Sequence, residues 1–359
     1  MLILLHCLTL LLLLLTVASL SRRPQWWIRG LDFPRLQLLL LALILAALYL
    51  FYLSGGRGPA APIFAALAVS IGCALDHGLR LIPYSPLGRP EVESIPRDSE
   101  RPSVRIMIAN VLMTNRQYAR LLGQVKINDP DLVLFLEGDS EWEAALETGL
   151  QDYPHVVRCA KDNLYGMHLY SRLPLFHAET RYRVQPGVPS IIADLKWPTG
   201  DNVLLHCVHP APPSPTENEQ SIERDAELVK VASDIGGREQ PTLVIGDFND
   251  VPWSRPTRLF RKLSGLADPR VGRGLFSTFH ALIPLCRWPL DHVFCTEHFS
   301  LVSLARSEPF GSDHFALVAE LVLSQNRGEG TGALASEAGD QDEADRIIEE
   351  LDPVSVDAI

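Results

Sequence analysis

Three almost unbroken apolar runs open the chain, at residues 2–20, 36–53 and 60–75. A helix needs about 20 apolar residues to cross the hydrocarbon of a bilayer. The first two runs meet that length. The third is Ala-rich, ends at Asp76 and His77, and is borderline. The first run has no basic leader and is too long for the core of a signal peptide, so it is expected to be an uncleaved span. Trp26, Trp27, Tyr49, Tyr52 and Tyr84 flank the runs, as rings that anchor at a membrane interface do.

After the third run the pattern changes. Residues 82–101 are Pro-rich and polar without periodicity, which reads as a linker. Short apolar, β-branched runs follow, and they predict strands at 104–108, 132–136, 164–170, 190–195, 202–208, 242–245, 290–294 and 315–323. Helical spacing of apolar positions predicts helices at 118–127, 217–235 and 257–263. Thr199-Gly200-Asp201 predicts a hairpin turn between two of the strands. The end of the chain is rich in Gly, Ala and acids, so it is expected to be disordered apart from one short helix at 345–351. The chain thus divides into a membrane region with two or three spans (1–80), a linker (81–102), one folded domain (103–323) and an acidic tail (324–359).

Charge refines this division. The formal net charge is −11, and the tail, with ten acids against two arginines, holds most of it. The middle domain is net −6. A duplex-DNA binder shows a basic face, so the charge disfavours nucleic acid as a partner. Arg22, Arg23, Arg29 and Arg35 lie between the first two runs, Arg57 alone between the second and third, and Arg80 and Arg89 after the third. With three spans, the positive-inside rule puts the first loop and the domain in the cytoplasm. Six scattered cysteines show no CxxC spacing and read as free, mostly buried thiols.

Candidate chemistry gathers where the apolar strands end. The run 242–245, bounded by Pro241 and Gly246, delivers Asp247-Phe248-Asn249-Asp250. In extended backbone Asp247 and Asn249 point the same way. Other strand ends carry Asn110, Glu137, His209, the pair Asp291-His292 and the segment Gly311-Ser312-Asp313-His314. Each alone is an ordinary turn or a structural histidine. Together they suggest that distant segments converge on one rim of a sheet core. Carboxylates without clustered thiols or imidazoles suit a hard cation, Mg²⁺ or Mn²⁺. Beside such a cation, histidines can move a proton or stabilise charge on phosphorus. The matching chemistry is metal-assisted attack of water on a phosphate ester or anhydride.

The ordered series Asn110, Glu137, Ser171-Arg172, His209, Gly246-Asp247-Phe248-Asn249, Asp291 and Ser312-Asp313-His314 resembles the endonuclease/exonuclease/phosphatase superfamily over residues 104–323. The resemblance implies an α/β fold: a DNase-I-like four-layer sandwich of two mainly antiparallel sheets flanked by helices, here preceded by the transmembrane helices. It implies Glu137 as the main Mg²⁺ ligand, with Asn110 beside it and Asp313 near the metal. It further implies that Asp247 orients the attacking water, Asn249 binds the scissile phosphate and His209 stabilises the transition state. His314, oriented by Asp291, becomes general base or electrostatic partner, and the choice of water activator between Asp247 and His314 stays open. Leu136 stands where members often have Gln, and Pro-Ala-Pro-Pro follows His209 in place of a basic DNA-gripping insertion. With the apolar runs, these departures look like a membrane-anchored bacterial branch, multi-pass in the inner membrane, some of whose relatives are phosphatases of lipid-linked phosphates. The expected function is a membrane-anchored, Mg²⁺-dependent phosphoesterase acting on a lipid-linked or small phosphorylated substrate. A membrane-tethered nuclease is the alternative. A non-catalytic module is disfavoured because the whole ligand set is present.

Overall fold

A computed structural model describes residues 1–56, 58–97, 101–237, 239–324 and 333–356. Arg57, the lone arginine between the second and third apolar runs, lies outside the described residues, as do parts of the linker (98–100) and of the tail (325–332 and 357–359). The chain forms two compact units, Met1–Gly88 with Pro213–Ser221, and Arg89–Pro212 with Ile222–Ile359.

The first unit is built from α1 (Leu2–Ser19), the single-turn α2 (Trp26–Arg29), α3 (Arg35–Ser54) and α4 (Ala60–Leu81). A 3-10 turn continues α4 to Tyr84, so three helices of 18, 20 and 25 residues are long and apolar enough to cross a membrane. Leu12, Ala42, Leu45, Tyr49 and Ile63 pack between them, whereas Leu10, Leu14, Leu40, Leu43, Phe51 and Phe64 face outward. A helix that is apolar all round leaves no polar face for water and suits burial in a protein core or a membrane. Several polar side chains inside pair with one another. Arg35 donates to Asp32 (2.5 Å), to Asp76 (3.2 Å) and to Ser19 Oγ (3.4 Å), and Thr16 bonds His77 (3.1 Å), joining all three long helices. In this unit the Trp26 N–H donates to Glu219 O and the Ser221 N–H to Pro24 O, bridging Gln25 to Gln220. Those bonds use the residues expected to open the helix at 217, which starts instead at Ile222.

The second unit begins with β1 (Ser103–Asn110), α5 (Tyr118–Asn128), β2 (Leu132–Leu136), α6 (Ser140–Gly149), β3 (His155–Cys159), β4 (Met167–Ser171) and β5 (Leu175–Arg181). It continues through β6 (Ser190–Lys196), β7 (Asn202–Val208), α7 (Ile222–Ile235), β8 (Thr242–Asp247), α8 (Arg255–Ser264), β9 (Asp291–Cys295), β10 (Phe299–Arg306), β11 (Leu317–Leu323) and α9 (Asp340–Val356). The strands form two mixed sheets, ordered β10-β11-β1-β2-β4-β3 and β5-β6-β7-β8-β9. Alternate strand residues face opposite ways. Ile106, Ile108, Leu134 and Leu136 thus meet Leu205, Cys207, Leu243 and Ile245 between the sheets. Met107, Ala109 and Phe135 turn outward onto Leu121, Val125 and Trp142 of α5 and α6. Val244 and Phe294 turn the other way onto Leu228, Val231 and Phe260 of α7 and α8. The result is a four-layer α/β sandwich.

Topology fixes one rim. The only parallel pairs among the described strands are β1 with β2 and β7 with β8. Their four C-terminal ends lead to Asn110, Glu137, His209 and Asp247. β9 and β11 run antiparallel to β8 and β1, so these two strands start where the others stop: Asp247 faces Asp291, and Ile108 faces Leu317 three residues after His314.

Several elements were not visible in the sequence pattern. β3 and β5 are half-exposed edge strands with mixed polar sequences, and β10 is the edge of the larger sheet. α6 is short and capped by Asp139, whose side chain accepts from the Trp142 N–H. The acidic tail departs most from expectation: the short helix expected at 345–351 is part of α9, a helix of 17 residues. Ala344, Ile347, Ile348 and Leu351 pack on Ile222, Ala226, Val229 and Leu259, and Arg255 and Lys262 of α8 pair with Glu343 and Asp340. Acids spaced at helical period around an apolar stripe are soluble alone and helical once docked. The linker also differs, since Val92 enters the core and Glu91 pairs with buried Arg261.

Candidate active site

Two of the residues at the rim have backbone that side chains rarely adopt. Glu137 has φ +62° and Asn249 φ +52°, each immediately or shortly after a strand. Non-glycine residues in this region cost free energy that the surroundings must offset, and such residues cluster at functional sites. Gly246 enables the approach of β8 to its neighbour: with φ +144°, a Cβ there would lie 1.9 Å from Val208 O. The tight β7–β8 pairing keeps the following Asp247 at the rim.

The eight residues named from the sequence lie together there. The Asn110 side-chain amide donates to Glu137 Oε1 (2.7 Å) and to Asp247 Oδ2 (3.1 Å), while its oxygen accepts from the Leu112 N–H (3.1 Å). Asn110 is therefore arranged as a donor that gathers two carboxylates. Asp247 Oδ1 accepts from the Asn249 N–H (2.8 Å), and the Asn249 amide donates to Pro210 O (3.0 Å) just after His209. His314 Nδ1 donates to Asp291 Oδ2 at 2.9 Å, and its Nε2 lies 3.6 Å from Asp247 Oδ2. Ser312 Oγ donates to Asn110 O (2.8 Å) and accepts from the His314 N–H (3.0 Å), tying β1 to the last loop. Asp313 is close enough for its charge to act on Glu137 and His314.

These contacts set the charges. Burial pushes the Glu137 carboxyl up to about 7, against the opposing Asn110 hydrogen bond. Asp247 is raised as well, by burial and then by Asp291. Burial lowers His209 to about 4, so it is neutral at pH 7. Burial also opposes charge on His314, but Asp291 and Asp247 outweigh it and raise the imidazole to about 10.

Two buried polar atoms, His209 Nδ1 and Asp291 Oδ1, have no protein partner among the described residues. Excess carboxylate and orphaned lone pairs are what a bound cation satisfies. Ligand atoms of Asp247, Asp291 and His314 lie within 4.8 Å of one another and could hold a metal.

Other residues at the site carried no signal in the sequence. The Tyr165 ring packs on His209 (5.4 Å between centroids), and Phe279 packs on His314 (5.0 Å). Thr278 Oγ1 accepts from the Asp291 N–H (3.2 Å). His292 turns the opposite way from its neighbour, with Nε2 on Asp250 O (2.9 Å) and Nδ1 on Arg270. In the Asp291-His292 pair, strand alternation sends only the aspartate to the site.

Known proteins agree with this architecture. The sequence model of the Endonuclease/Exonuclease/phosphatase family matches residues 107–314. Comparison with curated proteins finds no match. Among solved structures, an endonuclease/exonuclease/phosphatase from Bacteroides vulgatus is similar at 19% identity and a TM-score of 0.51, over 62% of this chain and 100% of that one. D. rerio TDP2 complexed with single strand DNA product is similar at 16% identity and 0.51, over 62% and 99%. A family protein from Bacteroides thetaiotaomicron gives 16% and 0.51, over 64% and 98%. At these identities the likeness establishes the shared fold. With the match to the family itself spanning more than half of its length, the chain belongs to the endonuclease/exonuclease/phosphatase family.

Proposed function

We propose that the protein is a membrane-anchored, Mg²⁺-dependent phosphoesterase that hydrolyses a lipid-linked or small phosphorylated substrate. The observation that carries this reading is the grip of one Asn110 amide on both Glu137 and Asp247, with His314 beside them. Glu137, with Asp313 nearby, would hold the cation, which supplies a Lewis acid for the phosphoryl oxygens. Asp247, its carboxylate held by the Asn249 N–H, accepts a proton from the attacking water. The bond from that water to phosphorus forms as the bond to the leaving oxygen breaks. Asp291 and Asp247 favour the charged form of the His314 imidazole, which suits it less to the role of base. It instead meets the negative charge that grows on the phosphoryl oxygens, with neutral His209 and the second N–H of the Asn249 amide as further donors. The three apolar helices support anchoring, and the arginine distribution supports a cytoplasmic, inner-membrane placement.

A nuclease remains the second reading, favoured by the TDP2 structure with single strand DNA product and disfavoured by the acidic charge of the domain. Purified full-length protein offered a phosphorylated polyprenol and plasmid DNA with Mg²⁺ separates the two. Release of phosphate, lost with a chelator or with Asp247→Ala and without DNA nicking, is the expected result. Nicking that Asp247→Ala abolishes supports the nuclease, and full activity in metal-free protein would falsify both.

A further inference from the structure

The segment between Phe279 and Trp288 forms a closed loop beside the site. Phe279 and Trp288 exchange backbone hydrogen bonds at its base, and the Phe279 ring packs on both Trp288 (6.1 Å) and His314 (5.0 Å). The loop is internally bonded. The His280 N–H donates to Cys286 O (2.9 Å), the Cys286 N–H to Ile283 O (2.9 Å) and Arg287 to Ala281 O (3.0 Å). The Ala281 N–H donates to Asp313 O (2.6 Å), fastening the loop to the site. Its tip presents Leu282, Ile283 and Leu285 to solvent at 66%, 47% and 81% exposure. Elsewhere on this unit the described large apolar residues that are exposed, Ile127, Phe176 and Tyr182, stand singly.

Three apolar residues on a short, stiff tip need a physical reason. A stable protein interface buries about 800 Å² per partner, more than such a tip offers. Insertion among lipid headgroups needs only a few apolar side chains backed by cations. Cations are present. The guanidiniums of Arg287 and Arg306 both stack on Phe315, at 5.1 and 4.8 Å, directly after His314. Each donates to a backbone carbonyl, Arg287 to Ala281 O (3.0 Å) and Arg306 to Ser277 O (2.5 Å), and neither pairs with a carboxylate among the described residues, although the domain is acidic overall.

We propose that this loop is a membrane-inserting lip: its apolar tip enters an anionic lipid surface, and Arg287 and Arg306 meet the headgroups, so that the site takes phosphate esters embedded in the bilayer. The inference rests on the phosphoesterase reading for its substrate class and on anchoring for its access to lipid. Membrane contact can be measured separately from catalysis. Full-length protein carrying Leu282→benzoylphenylalanine, in nanodiscs of phosphatidylcholine and phosphatidylglycerol, is expected to form lipid adducts on irradiation at least ten times more often than Ile127→benzoylphenylalanine. Equal yields at the two positions, or capture of a second copy of the chain in place of lipid, overturn the lip whatever the activity. In the catalytic arm, the triple variant Leu282→Ser, Ile283→Ser, Leu285→Ser is expected to lose at least ten-fold in kcat/KM on a long-chain polyprenyl phosphate in the bilayer. On water-soluble geranyl phosphate it should stay within two-fold of the parent. Equal loss on both substrates overturns the lip, because the loop would then only shape the site. If the parent hydrolyses neither compound, the phosphoesterase reading falls, and adduct yield alone decides membrane contact.

Discussion

Asp291 never needs to touch substrate to matter, because its oxygen lies 2.9 Å from His314 Nδ1 and favours the charged imidazole. Activity that depends on the imidazolium is lost as pH rises through its pKa. Asp291→Asn removes the nearest carboxylate and is expected to move the alkaline limb of the kcat/KM profile down by about 1 to 3 pH units. An unmoved limb would show that His314 does not act in its charged form. Glu227 shows the same physics away from the site. It is buried on α7 with Oε1 unpartnered, and burial raises it to about 8 from 4.5. Folding therefore favours its protonated form. Stability is complete below about pH 4.5 and is lost as pH rises through about 8, with a slope of up to about 1.4 kcal/mol per unit. Glu227→Gln should flatten that slope in thermal melts of the detergent-solubilised chain.

At the scale of elements, the four parallel strand ends work only if the strands stay close. Gly246→Ala would set a methyl against Val208 O and hold an unfavourable φ, at a cost on the order of 3 kcal/mol. Because Asp247 is the next residue, activity should fall together with the melting temperature. A variant that melts like the parent and retains full turnover would show that the β7–β8 approach does not position the carboxylate. The helix α9 teaches a related lesson. Its apolar stripe of Ala344, Ile347, Ile348 and Leu351 is present in the sequence, yet the density of acids around it matches a disordered tail. Docking on α7 and α8 separates the two readings, and only the fold supplies the dock.

For the whole molecule, sidedness decides which phosphates the site can reach. If the three apolar helices all span, the arginines concentrated in the first loop predict a cytoplasmic C terminus. A fluorescent-protein fusion after Ile359 should glow, and an alkaline-phosphatase fusion at the same point should be inactive. The opposite pattern would reverse the topology and leave the site facing the outer surface.

Apolar strands bounded by Asn110, Glu137, His209 or Asp247 at their ends and by Asp291 or His314 at their starts were legible without a structure, because a buried strand needs a continuous apolar run and a rim residue must be the polar one that flanks it. The order of those ends, and the length of the helices before them, are likewise properties of the chain read along its length. The remainder depended on contacts between residues far apart in sequence, such as Asn110 and Asp247, which are 137 positions apart. Only the folded chain shows that the Asn110 amide gives its protons to two carboxylates, that His292 turns away while Asp291 turns in, and that the base of an apolar-tipped loop packs on His314. Local pattern encodes which face of an element is buried. Which distant atoms then meet is decided by how the sheets stack and in which direction each strand runs.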